Sequence, residues 1–296
     1  MAGNTGISGS PGSKKALNVT MGAAGKVTKV ESLSTGKLRV TVASGASIDA
    51  DQVIFSVPLG VLKAKAVSFN PALPQAKLNA IENIGFGNVV KIGLLFDTQF
   101  WPQAQHYFSL AQPENSTPSL ATAERFSYFL NLVPAVNRPI LFTFVFGSQA
   151  TPVESWTDEE VWNGKPGMAG VRANLVQLFG KDAVPPTYKA MWRSAWATSP
   201  NFGGAYSYSA TTTNKCDFDT VAAAELSGRL HFAGEHTFSS ARGTVHGAFL
   251  SGLRAAREVL LWPPPISLVP LVWFRPFWRR LARRAPPKKA VSCRTA

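Results

Sequence analysis

The 296-residue sequence predicts a mixed α/β fold, with features of both α/β and α+β proteins. Short segments with the two-residue alternation of β-strands are interleaved with segments whose apolar residues have helical spacing. Hydrophobic residues make up 45% of the chain and charged residues 16%, a globular composition that can form a sizeable core. Near the C-terminus a strand, a loop and a helix follow one another, an order that often faces a cofactor in α/β proteins.

The first predicted elements are a β-hairpin and a buried strand. Two runs of alternating apolar and polar residues lie between residues 17 and 42, and Gly36 separates them as a turn signal. Residues 51–57 read Asp-Gln-Val-Ile-Phe-Ser-Val, an apolar run that ends at Pro58. This run predicts a buried strand.

Helices and strands then alternate through the middle of the chain. Helices are predicted over residues 73–81 and 172–179, and a third begins at Thr157 with acids in its first turn. Strands are predicted over residues 89–96, 126–132 and 139–146, the last two forming a pair.

The last predicted elements are a strand over residues 230–234, a loop over residues 235–243 and a helix from Thr244. The helix has an apolar face, which predicts the side that packs on the core. This face consists of Val245, Ala248, Phe249, Gly252, Ala256 and Val259.

The net charge of +13 is concentrated at the C-terminus, where residues 262–296 hold eight Lys or Arg and no acid. The basicity therefore predicts no duplex-binding face and no specific nucleic-acid partner. Residues 273–284 interleave Trp and Phe with Arg, and could meet a membrane surface or form an arm that binds protein or nucleic acid. The plainer interpretation is a disordered basic extension.

The N-terminus lacks the apolar core of a secretory signal, so an intracellular location is favoured, with peripheral membrane association as the alternative.

Two neighbouring motifs carry the functional signal: residues 232–237 read FAGEHT, and residues 243–248 read GTVHGA. Gly234 permits positive φ or close backbone approach where a strand ends. Glu235 can accept hydrogen bonds from sugar-alcohol hydroxyls, and the first amides of the Thr244 helix can stabilise negative charge. The plain alternative is an ordinary strand, loop and helix with Thr244 as the capping residue.

GEHT followed by TVHGAFLSGLRAA closely resembles the C-terminal flavin motif of the flavin-containing amine oxidases, in particular polyamine oxidases and lysine-specific histone demethylases. The resemblance continues upstream through residues 50–62, through GFGNVVKI at residues 85–92 and through residues 196–208, and it spans about residues 17–260. It implies part of a two-domain amine oxidase fold, with an incomplete FAD domain and a substrate domain built on a mixed sheet flanked by helices.

The resemblance implies FAD as the cofactor and five residues that bind it. Glu235 would contact the ribityl chain, and Thr244 and Val245 would lie by the isoalloxazine ring. Val27 falls where the family has a valine near the adenine, and Trp196 belongs to the stretch over the flavin. A cysteine that bonds covalently to flavin in monoamine oxidases is replaced by Ala205, so the FAD is expected to be non-covalent.

The implied substrate residues are Tyr206, an aromatic that flanks the amine, and Thr244. The implied catalytic residue is Lys91, which in this family hydrogen-bonds a water next to flavin N5. Within an apolar strand a lysine is expensive unless it is paired or deprotonated, although simple alternation could also turn Lys91 outward. The plain alternative for Tyr206 and Trp196 is core packing. Polyamine-type members usually have an aspartate where Ser199 stands, which weakens the polyamine interpretation.

A metal site is not expected, because the four histidines do not cluster with Cys or acids at ligand spacing.

The family's N-terminal GxGxxG unit has no match in this sequence. A truncated product is therefore the expectation. The predicted division is residues 1–15 disordered, 16–65 partial FAD-binding domain, 66–195 substrate-binding domain, 196–262 C-terminal part of the FAD-binding domain and 263–296 basic aromatic tail.

The resemblance implies an oxidoreductase that acts on CH–NH or CH–NH2 groups. Hydride would pass from the α-carbon of a small amine, a polyamine or a methylated-lysine-like amine, to flavin, with O2 as final acceptor. One alternative is an inactive fragment that serves as a binding or interaction module. Another is a different flavoprotein oxidoreductase, such as a desaturase or protoporphyrinogen oxidase.

Overall fold

The computed structural model describes residues 22–111 and 125–261. The expected disordered N-terminus over residues 1–15 and the tail over residues 263–296 lie outside the described residues. The strands are β1 Val27–Ser32, β2 Leu38–Val42, β3 Ser47–Ala50, β4 Val53–Phe55, β5 Ser68–Asn70, β6 Gly85–Gly87, β7 Val89–Leu95, β8 Tyr107–Ser109, β9 Tyr128–Asn131, β10 Ile140–Phe146, β11 Gly164–Lys165, β12 Met168–Ala169, β13 Ala190–Arg193, β14 Tyr206–Tyr208 and β15 Leu230–Phe232. The α-helices are α1 Leu59–Lys63, α2 Gln75–Asn83, α3 Val133–Val136, α4 Ala150–Glu154, α5 Asp158–Asn163, α6 Val171–Phe179, α7 Asp217–Ala222 and α8 Val245–Leu261.

The predicted hairpin is present as β1 and β2, which pair antiparallel. Gly36 has φ 81°, a value that a residue with a side chain rarely adopts, so glycine makes the tight connection possible. β3 pairs with β2 and β5 pairs parallel with β1, which completes a four-stranded sheet in the order β3-β2-β1-β5.

The second large sheet has five antiparallel strands in the order β13-β7-β10-β9-β8. The predicted pairing of residues 126–132 with 139–146 is confirmed by the β9–β10 ladder. Val90, Ile92 and Leu94 of β7 are buried on one face of this sheet, against α4, α5 and α6. Because strand residues alternate between faces, Lys91 lies on the other face.

The described residues contain two hydrophobic clusters. One lies on the inner face of the five-stranded sheet and includes Phe96, Phe129 and Trp162. The other joins the four-stranded sheet to α1, α2 and α7. The domain boundaries given above stay predictions.

The strand over residues 51–57 was expected to be buried, and this is the case for one of its two faces. Among the described residues, β4 pairs with β15 alone, in parallel. Phe55 is buried beside Phe69 and Phe232, whereas Ile54 is 45% exposed. Alternation turns Ile54 away from the core that Phe55 enters, and the described residues leave that side open.

The packing face of α8 also differs from the prediction. The buried residues of this helix are Gly247, Ser251 and Ala255, whereas Val245 is 89% and Phe249 65% exposed. The small residues allow a close approach, and the Ser251 hydroxyl accepts a hydrogen bond of 2.8 Å from the Gly234 amide. None of the helices within residues 22–111 and 125–261 has the length and apolar character needed to cross a membrane.

Candidate active site

An open cleft of about 440 Å³ lies between the outer face of the five-stranded sheet and the segment that leads to α8. It is lined by residues from β7, β9, β10, β14 and the connecting segments: Val89, Lys91, Tyr128, Phe144, Phe146, Trp196, Ala205, Tyr206 and Gly243. Five of these residues are aromatic, so the walls of the cleft are mainly ring faces and edges.

Lys91 contributes a basic side chain to the lining of the cleft. Its side chain is exposed, whereas its neighbours Val90 and Ile92 are completely buried. Lys91 therefore points outward, as strand alternation predicted, and the outward face of β7 lines the cleft. The Lys91 amide donates a hydrogen bond of 2.9 Å to the Ser194 hydroxyl, which couples β7 to the end of β13.

Trp196 and Tyr206 also line the cleft, and neither side chain is fully buried. Trp196 is partly buried and packs edge-on against Phe202, with ring centroids 4.9 Å apart. Tyr206 is 39% exposed on β14, which pairs with β6. A methyl group on Gly243 would lie 3.3 Å from the Tyr206 ring, so the backbone before α8 closes this side of the cleft.

The carboxylate of Glu235 joins β14 to the start of α8. Glu235 accepts hydrogen bonds from the Ser207 amide at 3.1 Å, the Ser207 hydroxyl at 2.6 Å and the Gly243 amide at 2.6 Å. A carboxylate offers about four lone-pair sites, so Glu235 keeps capacity for about one more donor. Glu235 thus contacts Ser207, which follows Tyr206, and Gly243, which lines the cleft.

The N-terminus of α8 begins beside Gly243 and is capped by Thr244. The Thr244 hydroxyl accepts a hydrogen bond of 3.0 Å from the Gly247 amide and donates one of 2.6 Å to the Ala241 carbonyl. The capping interpretation of Thr244 is therefore correct. Val245 follows in the open first turn, where helix amides have no partner within the helix.

The turn before this helix depends on Gly234, which has φ 128° as expected for a glycine at the end of a strand. The ring of His236 lies directly against it, because a methyl group on Gly234 would come within 2.6 Å of His236 Cε1. Burial lowers the pKa of His236 to about 4, so this ring is neutral at pH 7.

Val27, expected near the adenine, lies at the start of β1 and does not line the cleft.

Sequence reasoning missed Lys77, whose side chain is 1% exposed. Its Nζ donates to the carbonyl oxygens of Thr220, Val221 and Ala223 at 2.7–2.9 Å, and lies 3.4 Å from Glu225. Burial lowers the pKa of Lys77 to about 8. A signal was present, because helical spacing places Lys77 on the same face of α2 as two buried apolar residues, Ala80 and Ile81.

The residues of the cleft fit the ring end of a flavin. Aromatic walls suit a flat conjugated ring, and the open first turn of α8 offers amide donors and the positive end of a helix dipole. Of the residues expected to bind flavin, Trp196 lines the cleft. Glu235, Thr244 and Val245 do not line it, but Thr244 and Val245 directly follow the cleft-lining Gly243, and Glu235 accepts a hydrogen bond from the Gly243 amide.

Comparisons with known proteins point to one family. A family model described as flavin containing amine oxidoreductase matches residues 17–260. Histone demethylase-like protein A of Aspergillus fumigatus is 35% identical over 238 residues, which cover 78% of this chain and 21% of that protein. Probable polyamine oxidase 4 of Arabidopsis thaliana is 35% identical over 233 residues, which cover 79% of this chain and 43% of that protein.

A solved structure of putrescine oxidase with bound putrescine has a similar fold, with a TM-score of 0.62 at 19% identity. The match covers 79% of this chain and 48% of that chain. The chain therefore spans less than half the length of each of these relatives.

Proposed function

The chain belongs to the flavin-containing amine oxidoreductase family, and from this premise we propose that it forms the amine-binding part of an FAD-dependent amine oxidase. FAD is the cofactor that family membership implies. The substrate would be an alkyl amine, either a polyamine or a methylated-lysine-like amine. Relatives named polyamine oxidase and lysine-specific histone demethylase support this class.

One observation carries the proposal: Lys91, Trp196 and Tyr206 line the same cleft as Gly243, which precedes the N-terminus of α8. These residues are up to 152 positions apart in the sequence, yet they line one space of ligand size. Bound flavin would supply the acceptor for a hydride from the carbon next to the amine nitrogen.

The residues of the chain would bind the amine and favour its reactive form. The ring faces of Trp196 and Tyr206 attract an ammonium group by cation–π interaction and exclude water from the alkyl chain. The positive charge of Lys91 disfavours a second positive charge beside it, and therefore favours the neutral amine that oxidation requires. Lys91 can also hold a water molecule by donating a hydrogen bond.

The first test is the visible absorption spectrum of residues 1–296, purified by gel filtration after incubation with FAD. Flavin bands that co-elute with the protein and change on adding spermine or a dimethyl-lysine peptide would support the proposal. Comparing these amines with desaturase and protoporphyrinogen substrates in a peroxide assay identifies the substrate class. A protein that stays colourless would contradict the oxidase proposal for this chain.

The second test is Lys91→Met, which removes the charge and the donors but keeps an unbranched side chain. We expect kcat to fall about a hundredfold with little change in KM, the size of effect typical of a group that assists proton transfer. Lys189→Met is the matched control, because Lys189 is exposed, pairs with Asp97 and does not line the cleft. An unchanged kcat in Lys91→Met would remove Lys91 from the chemistry.

A second candidate function is amine binding without turnover. It is supported by Glu235, the residue expected to contact the ribityl chain of the flavin. Its carboxylate already accepts three hydrogen bonds from groups of the protein. Calorimetric titration of the flavin-free protein with spermine separates the two candidates. Binding that depends on Tyr206, together with a colourless protein, would favour this function.

A further inference from the structure

The segment that carries Trp196 is held by a carboxylate that lies outside the cleft. Glu154, the last residue of α4, accepts a hydrogen bond of 3.0 Å from the Ala197 amide at Oε1 and one of 2.8 Å from the Thr198 amide at Oε2. These amides directly follow Trp196 in the chain. Glu154 itself is not among the residues that line the cleft.

Glu154 is in turn held in place by Asn88. The Asn88 side-chain amide donates to Glu154 Oε1 at 3.0 Å and to the Thr151 hydroxyl at 3.3 Å. Asn88 lies between β6 and β7 and directly precedes Val89, the first residue of β7, which lines the cleft together with Lys91. The same carboxylate therefore connects the strand that carries Lys91 to the turn that carries Trp196.

The chemistry of this contact requires a carboxylate. Two backbone N–H donors and one side-chain N–H donor converge on two oxygens, so both oxygens must accept. A glutamine would present its NH2 group to at least one of these donors, which places donor against donor. Hydrogen bonds to the charged form also outweigh the burial of Glu154, and the pKa of this carboxyl is lowered.

The other end of the turn is fixed by the backbone. The Gly204 amide donates to the Trp196 carbonyl at 3.0 Å, and the Ala205 amide donates to the Gly87 carbonyl at 2.7 Å. Trp196 is therefore held at its own carbonyl by Gly204 and through the next two amides by Glu154, which is the side-chain acceptor among these contacts.

We infer that Glu154 is a positioning residue that fixes Trp196 in the wall of the cleft. It acts through the amides of Ala197 and Thr198, and it needs no contact with the ligand. The expected effect of Glu154 on amine binding rests on the proposed function, whereas its effect on the position of Trp196 does not.

The test uses fluorine NMR of the full chain labelled with 5-fluorotryptophan. The chain has eight tryptophans, and the signal that disappears in Trp196→Phe is assigned to Trp196. We expect Glu154→Gln to shift or broaden the Trp196 signal more than the others, and Glu154→Ala to do so more strongly. Glu159→Gln is the control, because Glu159 is exposed on α5 and accepts a hydrogen bond from Asn163 of the same helix. A Trp196 signal unchanged in both folded Glu154 variants would overturn the inference.

A second measurement needs no variant. Thr198 is exposed, so its amide would exchange quickly with solvent unless it donates to Glu154. We expect the Ala197 and Thr198 amides of the native chain to exchange at least about tenfold more slowly than unbonded surface amides. Fast exchange at both positions would overturn the inference even if the Glu154 variants did not fold.

The functional consequence is measured separately with spermine. We expect Glu154→Gln to raise KM or the dissociation constant several-fold with a smaller change in kcat, and Glu154→Asp to recover part of the affinity. A wild-type chain with no amine binding would refute the proposed function, whereas the NMR and exchange results would still decide the role of Glu154.

Discussion

At the scale of single residues, the structure places charged groups where backbone acceptors or donors converge. Lys77 lies at the C-terminal end of α7, where helix carbonyls lack partners within the helix, and it bonds three of them. Its charge is opposed by burial but stabilised by Glu225. A buried lysine in this position contributes to the fold through its donors.

We predict that Lys77→Met lowers the free energy of unfolding by roughly 3 kcal/mol, because three carbonyls and Glu225 would stay buried without their donor. Urea denaturation followed by circular dichroism measures this change. Lys63→Met is the matched control: Lys63 is only half-buried and donates to one carbonyl, that of Glu82, so we expect a loss of about 0.5 kcal/mol. Equal losses in the two variants would contradict the role given to Lys77.

At the scale of elements, α8 shows that small residues determine which side of a helix packs. Gly247, Ser251 and Ala255 are spaced four residues apart and form one buried stripe. A methyl group on Gly247 would lie far inside van der Waals contact with the Ala241 carbonyl oxygen, whereas one on Gly252 would meet nothing within 4 Å. The two glycines of this helix therefore have opposite roles.

We predict opposite effects of the same substitution at these two positions. Gly247→Ala should lower the unfolding free energy by roughly 2 kcal/mol, because the clash is with backbone and cannot be relieved by rotation of a side chain. Gly252→Ala should raise it by about 0.5–1 kcal/mol, since alanine favours the helix and has room. Thermal and urea denaturation of the two variants checks both values. A loss of stability in Gly252→Ala would show that this side of α8 is covered.

At the scale of the whole molecule, the segment over residues 194–208 joins the two hydrophobic clusters. On one side it bonds Glu154, at the end of α4 in the cluster on the five-stranded sheet. On the other side it packs on α1, where Gly60 leaves no room for a methyl group beside the Phe202 carbonyl. The cleft lies along this junction, so its shape depends on how the two clusters are connected.

We predict a pH-dependent contribution of Glu154 to this connection. The pKa of Glu154 is lower in the folded chain than its ordinary value of 4.5, so its stabilisation is complete above that value and is lost as pH falls through the folded-state pKa. The difference in unfolding free energy between the wild type and Glu154→Gln should therefore shrink as the pH is lowered below 4.5. Urea denaturation at several pH values measures it. A difference that stays constant over this range would contradict the prediction.

The sequence by itself determined the local features of this protein. Alternation placed Lys91 opposite Val90 and Ile92, Gly36 marked the hairpin, and Thr157 with the acids that follow it marked the start of α5. These features depend on neighbours within a few residues, which a linear pattern records. The motif at residues 232–248 likewise indicated both the family and the strand, loop and helix that carry it.

Only the tertiary structure decided which distant groups meet. The apolar face of α8 was expected to pack, but the close approach of the Ala241 and Gly234 backbones selected the side with small residues. Glu154 finds its partners 43 and 44 residues downstream, a pairing that no local pattern contains. The physical reason is that hydrogen bonds and close contacts between remote segments depend on their positions in space, which periodicity within one segment does not specify.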